Sequence, residues 1–466
     1  MLEDHHFHSL QQIVGKENCY IDKAHLIAYC YDATRERYEP DAVIYPRDEN
    51  DVSAVLSYCN THHIAIIPRG AGSGFTGGAL PASGGIVLSL EKHFDKILEI
   101  DQKNLIARVQ PGVVNRVFQN EVERLGLFYP PDPASQDYST LGGNVSENAG
   151  GMRAAKYGIT KDYVMALRAV LPNGNIIRAG KKTIKDVAGY NIAGILIASE
   201  GTLAVITELT LKLISKPKYK KSAMGIFASI DDAMNAVYKT MASGITPVAM
   251  EFLDNLSIRA VEDRFHKGLP KEAGAILITQ VDGDTQEVIQ SQLHALEKKF
   301  KENHCTHFQI AQDSVQEEDL WFARRNVSQS ITIYGKKKLN EDITVPRSRL
   351  PELLKRIQQI SQKYGFKIPC FGHTGDGNVH TNVMVPNPED AQELERGYEC
   401  IEEIFKVAIE LEGTLSGEHG IGLSKAPFMR LAFTPEEMDL FGVIKHAFDP
   451  NNILNPGKMG LAEFQK

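Results

Sequence analysis

Short apolar runs alternate with amphipathic stretches from Ala42 onward, and the period of each run predicts its structure. Ala42 to Tyr45, Ile64 to Ile67, Ile86 to Leu90 and Leu105 to Val109 are four or five residues long, the length of buried strands. Ala204 to Leu213 reads as a longer strand. Between them, Asp51 to Thr61 predicts a helix with Asn50 as its N-cap. Val113 to Leu125, with apolar side chains three and four apart, predicts another. Val164 to Leu171 and Asn175 to Arg178 flank Asn173-Gly174, a strong hairpin signal. Residues 1–40 read as short helical segments.

Lys216-Pro217-Lys218 marks a boundary. Beyond it the amphipathic helices Ile230 to Ala242 and Thr285 to Phe300 alternate with strand-like Val248 to Phe252 and Ala275 to Val281. That order predicts an α+β domain built on an antiparallel sheet. Asn387-Pro388 predicts the start of a long helix, with asparagine as N-cap and proline in the first turn. Its stripe of Leu394, Tyr398, Ile401, Phe405 and Ala408 reads as a core face. The division expected is 1–216, 217–425 and 426–466, the last a helical segment.

Glycine interrupts the alternation twice. Residues 68–78 hold five glycines in eleven positions. Gly72-Ser73-Gly74-Phe75-Thr76-Gly77 matches G-x-G-x-x-G, but a dinucleotide loop of that kind must open a helix. Here it runs into Gly78-Ala79-Leu80-Pro81, so the Rossmann reading fails on context. Such glycines can still converge backbone N–H groups on an anion and let a pyrophosphate approach closely. The alternative is a plain surface loop. Residues 141–158 form a second glycine-rich stretch.

The 466 residues predict at least two domains, and 42% hydrophobic with 24% charged residues describes a globular chain with ample core. A net charge of −8 and only short basic clusters give no reason to expect nucleic acid. Six scattered cysteines without a CxxC exclude an iron–sulfur cluster of ordinary spacing and fit a reducing compartment. The polar Met1 to His6 gives no signal peptide, and no apolar run reaches membrane-spanning length. The cytoplasm is the default location, with the inner membrane face reached peripherally.

Two late segments carry the chemistry. Gly372-His373-Thr374-Gly375-Asp376-Gly377-Asn378-Val379-His380 places two histidines seven positions apart among residues that disfavour helix. A glycine turn feeding a strand would aim both imidazoles at one point. Ser416-Gly417-Glu418-His419-Gly420 adds a carboxylate and a third histidine. His373, His380 and Glu418 make a three-ligand N/O set with a position left open, which allows zinc, manganese or iron(II). His419, pointing away from its neighbour, is then free to act as a base. The alternative is a set of core histidines.

The glycine loop Pro68-Arg69-Gly70-Ala71-Gly72-Ser73-Gly74 resembles the pyrophosphate loop of the FAD-linked oxidases of the vanillyl-alcohol oxidase type. Pro131-Asp132-Pro133, Gly142-Gly143-Asn144, Glu147 to Gly151, Lys156-Tyr157-Gly158 and Ser199 to Leu203 continue the resemblance. The late histidine motifs are similar to those of the branch that includes glycolate oxidase flavoprotein subunits, D-lactate dehydrogenases and D-2-hydroxyglutarate dehydrogenases. Phe448 to Lys458 also fits, as a segment returning to the flavin domain. The resemblance runs from about residue 40 to the end.

It implies a FAD domain of two α+β subdomains followed by an α+β cap with an antiparallel sheet. It implies FAD contacts from Pro68 to Gly74, Thr76, Gly77, Pro131, Asp132, Gly142, Gly143, Asn148, Gly150 and Gly158. Glu200, Gly201, Val205, Ile206 and Asn455 complete that set. Some relatives bind FAD covalently near the glycine loop through histidine or cysteine; positions 69–78 hold neither, so non-covalent FAD is expected. Arg324, Ser328 and Asn382 resemble the family's contacts to the substrate, a small 2-hydroxy acid. Where the hydroxyglutarate enzymes carry a lysine for the distal carboxylate, Asn340 stands here, which favours glycolate or D-lactate. Electrons must then leave for an iron–sulfur subunit, a cytochrome, an electron-transferring flavoprotein or a quinone. From the residues alone, a metal-dependent hydrolase with a phosphate-binding loop and a non-catalytic flavoprotein subunit are the competing readings.

Overall fold

A computed structural model describes residues 2–461, so the end of the C-terminal segment lies outside the described residues. The chain divides into two units. The first comprises residues up to 150, 159–216 and from 418 onward; the second comprises 151–158 and 217–417. Residues 418–425, grouped with the cap in the sequence-based division, thus fall in the first unit.

The first unit holds two sheets. One has four strands in the order Cys19–Tyr20, Ala42–Ile44, Ile86–Ser89, Ile66–Arg69, with the last two pairings parallel. Its strands are buried on both faces, as the unbroken apolar runs foretold. The helix Glu49–Thr61 covers it through Val52, Val55, Leu56 and Cys59. Its cap is Asp48, whose carboxylate accepts from the N–H groups of Asn50 and Asp51, rather than the expected Asn50. The C-terminal segment extends this sheet: Ile66 donates to Ile453 O and Asn455 donates to Ile66 O.

The other sheet is antiparallel, in the order Ile97–Asp101, Ile106–Val109, Val205–Lys212, Val164–Val170, Ile176–Gly180. Its last pair is the Asn173-Gly174 hairpin. No helix starts between Ile66–Arg69 and Ile86–Ser89, in line with rejecting a dinucleotide loop. The second glycine-rich stretch is less irregular than its composition implies, because Leu141–Glu147 and Ala154–Tyr157 are helical.

The second unit is a seven-stranded antiparallel sheet. Its order is Cys305–Ile310, Tyr219–Phe227, Ala275–Gly283, Ala249–Asp254, Cys370–His373, Asn378–Val385, Lys337–Thr344. The helices Asn255–Phe265 and Ser314–Ser330 pack on one face through Ile258, Val261, Trp321 and Val327. The long late helix spans Ala391–Glu410 and is capped by Asp390, not Asn387. Its buried side chains include Cys400, Ile401, Ile404, Phe405 and Ala408, whereas Tyr398 is exposed and lies off the stripe.

Candidate active site

In the second unit, backbone register assembles a polar cluster on the sheet face covered by the helices Asn255–Phe265 and Ser314–Ser330. Glu251 pairs directly with His373 across adjacent strands. His380 pairs with Phe371 on one side and Asp342 on the other, and Asn382 pairs with Asn340. Side chains directly opposite on antiparallel strands share a face. The two histidines therefore converge as the turn between Cys370–His373 and Asn378–Val385 predicted. Their Nε2 atoms lie 3.4 Å apart, and both rings are buried.

That spacing passes a simple test for a metal. Two imidazoles on a tetrahedral ion, with bonds of about 2.0–2.1 Å, put their nitrogens roughly 3.4 Å apart. A buried acid sets the ring of the first histidine: His373 Nδ1 lies 2.7 Å from Glu251 Oε1. The other oxygen of Glu251 accepts from Arg324 Nε at 2.6 Å. Burial would raise the Glu251 carboxyl, but the charges of His373 and Arg324 hold it below the usual carboxylate range.

Arg324 and Ser328 lie one turn apart on Ser314–Ser330. Lys338 Nζ donates to Ser328 Oγ at 2.8 Å. Asn382 is fully buried; its Nδ2 donates to Pro369 O and His380 O, and its Oδ1 has no partner. Asp342 also fixes the end of this unit, since its carboxylate accepts from Gly417 N at 2.8 Å and from Ser416 Oγ at 3.1 Å. A Cβ at Gly417 would fall 1.6 Å from Asn378 Nδ2, so only glycine fits. Glu418 follows by one peptide bond.

In the first unit, Pro68 to Gly74, Gly142, Gly143, Gly150, Glu200, Gly201, Val205, Ile206, Glu418, His419 and Asn455 line one cleft. Gly72 bends the loop at φ +63, and a Cβ there would lie 2.2 Å from the Arg69 guanidinium beneath it. Arg69 is itself tied down, donating to Tyr31 O and Ala79 O. Asn144 Nδ2, also lining the cleft, is a buried donor without a partner, as a cradle for a phosphorylated cofactor requires.

Thr76, Gly77, Pro131, Asp132 and Asn148 do not line this cleft. Thr76 instead supports the His419 turn: its Oγ1 donates to His419 O, and its carbonyl accepts from Leu423 and Ser424. Pro131 O accepts from Asn115 and Gln119, and Asn148 Oδ1 accepts from Lys161 N. Gly158 falls in the second unit, where it ends the helix Ala154–Tyr157.

Sequence reasoning named Glu200 as a cofactor contact but missed Glu147 and Lys458, the buried charges beside it. Glu200 Oε1 and Oε2 accept from Ile421 N and Gly422 N, each at 2.7 Å, and so clasp the turn that carries His419. Glu147 adjoins it: its Oε2 and Glu200 Oε1 would both lie close to a Cβ at Gly420. Burial and the neighbouring Glu200 raise the Glu147 carboxyl well above its usual range. Lys458 donates to Gly78 O at 2.6 Å, and burial pushes its amine down to about 7. Glu251 was missed as well. Its signal was a lone acid in the apolar run Ala249 to Leu253, where a buried charge must have partners.

Residues 40–180 match the family profile described as FAD binding domain, and residues 216–459 match FAD linked oxidases, C-terminal domain. The glycolate oxidase subunit GlcD of Bacillus subtilis (strain 168) is 43% identical, covering 98% of this chain and 97% of that one. The D-lactate dehydrogenase of Anaerostipes hadrus is 34% identical over 90% of this chain and 89% of its own. In fold, the chain resembles p-cresol methylhydroxylase with substrate bound, with a TM-score of 0.79, 17% identity and coverage of 99% and 98%. The two-domain FAD-binding fold expected from the sequence is thus the fold present, and the chain is an FAD oxidoreductase. The hydrolase reading is set aside.

Proposed function

The chain belongs to the FAD-linked oxidase family, and on that premise we propose that it oxidises a small D-2-hydroxy acid, glycolate or D-lactate, to the 2-oxo acid. The convergence of His373 and His380 on one point, with Glu251 behind them, carries the proposal. His373, His380 and Glu418 are the ligands of a divalent ion, zinc first and manganese or iron(II) as alternatives. Bound there, the ion supplies Lewis acidity that lowers the pKa of the substrate hydroxyl.

Arg324, held through Nε, offers its terminal nitrogens to the substrate carboxylate, and Ser328 and Asn382 complete the contacts. His419 takes the hydroxyl proton as the C2–H bond breaks. FAD, held non-covalently, supplies the acceptor for the hydride that leaves C2. The electrons pass to a protein partner or a quinone. The description of the Bacillus relative as a subunit supports a partner, for which an iron–sulfur protein, a cytochrome and an electron-transferring flavoprotein are the candidate classes. We place the enzyme in the cytoplasm or at the inner membrane face. Among the described residues no helix is long and apolar enough to cross a membrane.

One observation favours a second substrate. Lys338, on Ser328, supplies a cation beside the proposed carboxylate site, which suits the distal carboxylate of D-2-hydroxyglutarate. Anaerobic mixing of the FAD-loaded protein with each acid decides between them. Bleaching of the flavin band by glycolate or D-lactate is expected. Bleaching by D-2-hydroxyglutarate alone would transfer the assignment, and no bleaching by any of the three would overturn it.

A further inference from the structure

The loop of residues 181–191, between Ile176–Gly180 and Ile192–Leu196, holds three apolar side chains almost wholly in water. Ile184 is 96% exposed, Val187 99% and Tyr190 92%. Single exposed apolar residues are ordinary, but three so close together on one loop are not. The loop stands over an open cavity of about 1320 Å³ lined in part by Lys161, Arg178 and Lys212. Lys181, Lys182 and Lys185 lie on the loop itself, with Lys182 paired to Glu99 at 3.1 Å. Asp162 and Asp186, with Glu99 and Asp101 beside Lys182, are the acids near these six cations. On a chain of net charge −8, this is a local reversal of sign.

A protein partner would ordinarily cover a broad, contiguous patch. Solitary aliphatic and aromatic tips projecting above lysines match a different surface. They suit the boundary of an anionic bilayer, where apolar tips enter the acyl edge and lysines meet phosphates. Tyrosine is at home at headgroup level. We propose that the 181–191 loop docks this enzyme on an anionic membrane surface, inserting Ile184, Val187 and Tyr190 while Lys181 and Lys185 bind lipid phosphates. The inference is independent of the substrate assignment.

The test uses full-length, FAD-loaded protein and vesicles of phosphatidylcholine with and without phosphatidylglycerol. Co-sedimentation with the anionic vesicles alone, weakened by salt, is expected. Lys181→Gln with Lys185→Gln should reduce that binding roughly thirtyfold, at about 1 kcal/mol per lysine. Ile184→Ser, Val187→Ser and Tyr190→Ser together should abolish it, with flavin absorbance and melting temperature unchanged. A Tyr190→Trp variant should shift its emission to the blue on anionic vesicles, while Trp321, 7% exposed, gives a constant background. Absence of binding to anionic vesicles overturns the proposal. So does binding that ignores these substitutions, or loop variants that change only self-association in solution. Turnover with a water-soluble dye, measured in parallel, reports on the substrate assignment and leaves the vesicle result standing.

Discussion

Glu251 and His373 face each other on adjacent strands, and the carboxylate of one holds Nδ1 of the other at 2.7 Å. The bond makes Nδ1 a donor, so that once the ring is neutral, as a metal ligand must be, Nε2 presents its lone pair toward His380. Because Arg324 binds the second oxygen, one buried acid orients both a proposed metal ligand and the proposed carboxylate clamp.

Replacing Glu251 with glutamine keeps the shape but removes a charge-assisted acceptor. Zinc affinity should fall by roughly ten- to a hundredfold, the usual effect of losing a group that orients a ligand. Calorimetric titration of zinc into chelator-treated protein measures it. Unchanged affinity would show that Glu251 acts only as a counter-ion to Arg324.

His373→Ala and His419→Ala separate ligand from base. The first should remove bound metal and abolish turnover, with flavin absorbance intact, because His373 lies in the second unit and the cleft lies in the first. The second should retain metal and lower turnover by about two to four orders of magnitude, the range for a general base. Metal content by mass spectrometry beside steady-state rates distinguishes them. Loss of metal from His419→Ala would make that residue a ligand.

The sequence was most legible where local chemistry and packing agree. The strand Ile86–Ser89 and the Asn173-Gly174 hairpin follow from apolar runs and turn residues. The rejected dinucleotide loop follows from Gly78-Ala79-Leu80-Pro81, a stretch without helical period that leads straight to the strand Ile86–Ser89. Caps were misplaced by a few residues because several acceptors compete: Asp48 prevails over Asn50, and Asp390 over Asn387. Glu147 and Lys458 were illegible as site residues, and Glu251 was legible only as an acid in an apolar run, since each matters through partners over a hundred residues away or set by tertiary packing. Only the strand register brings Glu251 to His373.

Lys338 offers a test of substrate class. Lys338→Met removes the cation on Ser328 Oγ. If the substrate has one carboxylate, kcat/KM for glycolate or D-lactate should change less than about threefold, since a remaining hydroxyl still binds, at about 0.5 kcal/mol. If it has two, KM for D-2-hydroxyglutarate should rise by about tenfold or more, the value of a charge-assisted hydrogen bond. Steady-state kinetics on all three acids gives the answer directly.

Asp254 links the site's scaffold to pH. Its carboxylate caps the helix Asn255–Phe265 through Ser257 N and accepts from Cys370 N at 2.8 Å, just ahead of His373. Burial outweighs those hydrogen bonds and pushes the carboxyl from 3.8 to about 6. The folded chain therefore holds this proton at pH values where the unfolded chain has lost it. Stability from this group is fully present below about pH 4 and is lost as pH rises to about 6, in total by about 3 kcal/mol. Asp254→Asn stays neutral and can keep the Ser257 cap, but gives up an acceptor for Cys370, at about 1–3 kcal/mol. The variant should thus be the less stable protein at pH 4 and should lose that disadvantage by pH 7. Denaturant unfolding of both proteins across this range measures the difference, in which the other titrating groups cancel. Parallel stability curves would mean that Asp254 is ionised in the fold throughout, with its two backbone hydrogen bonds overcoming burial.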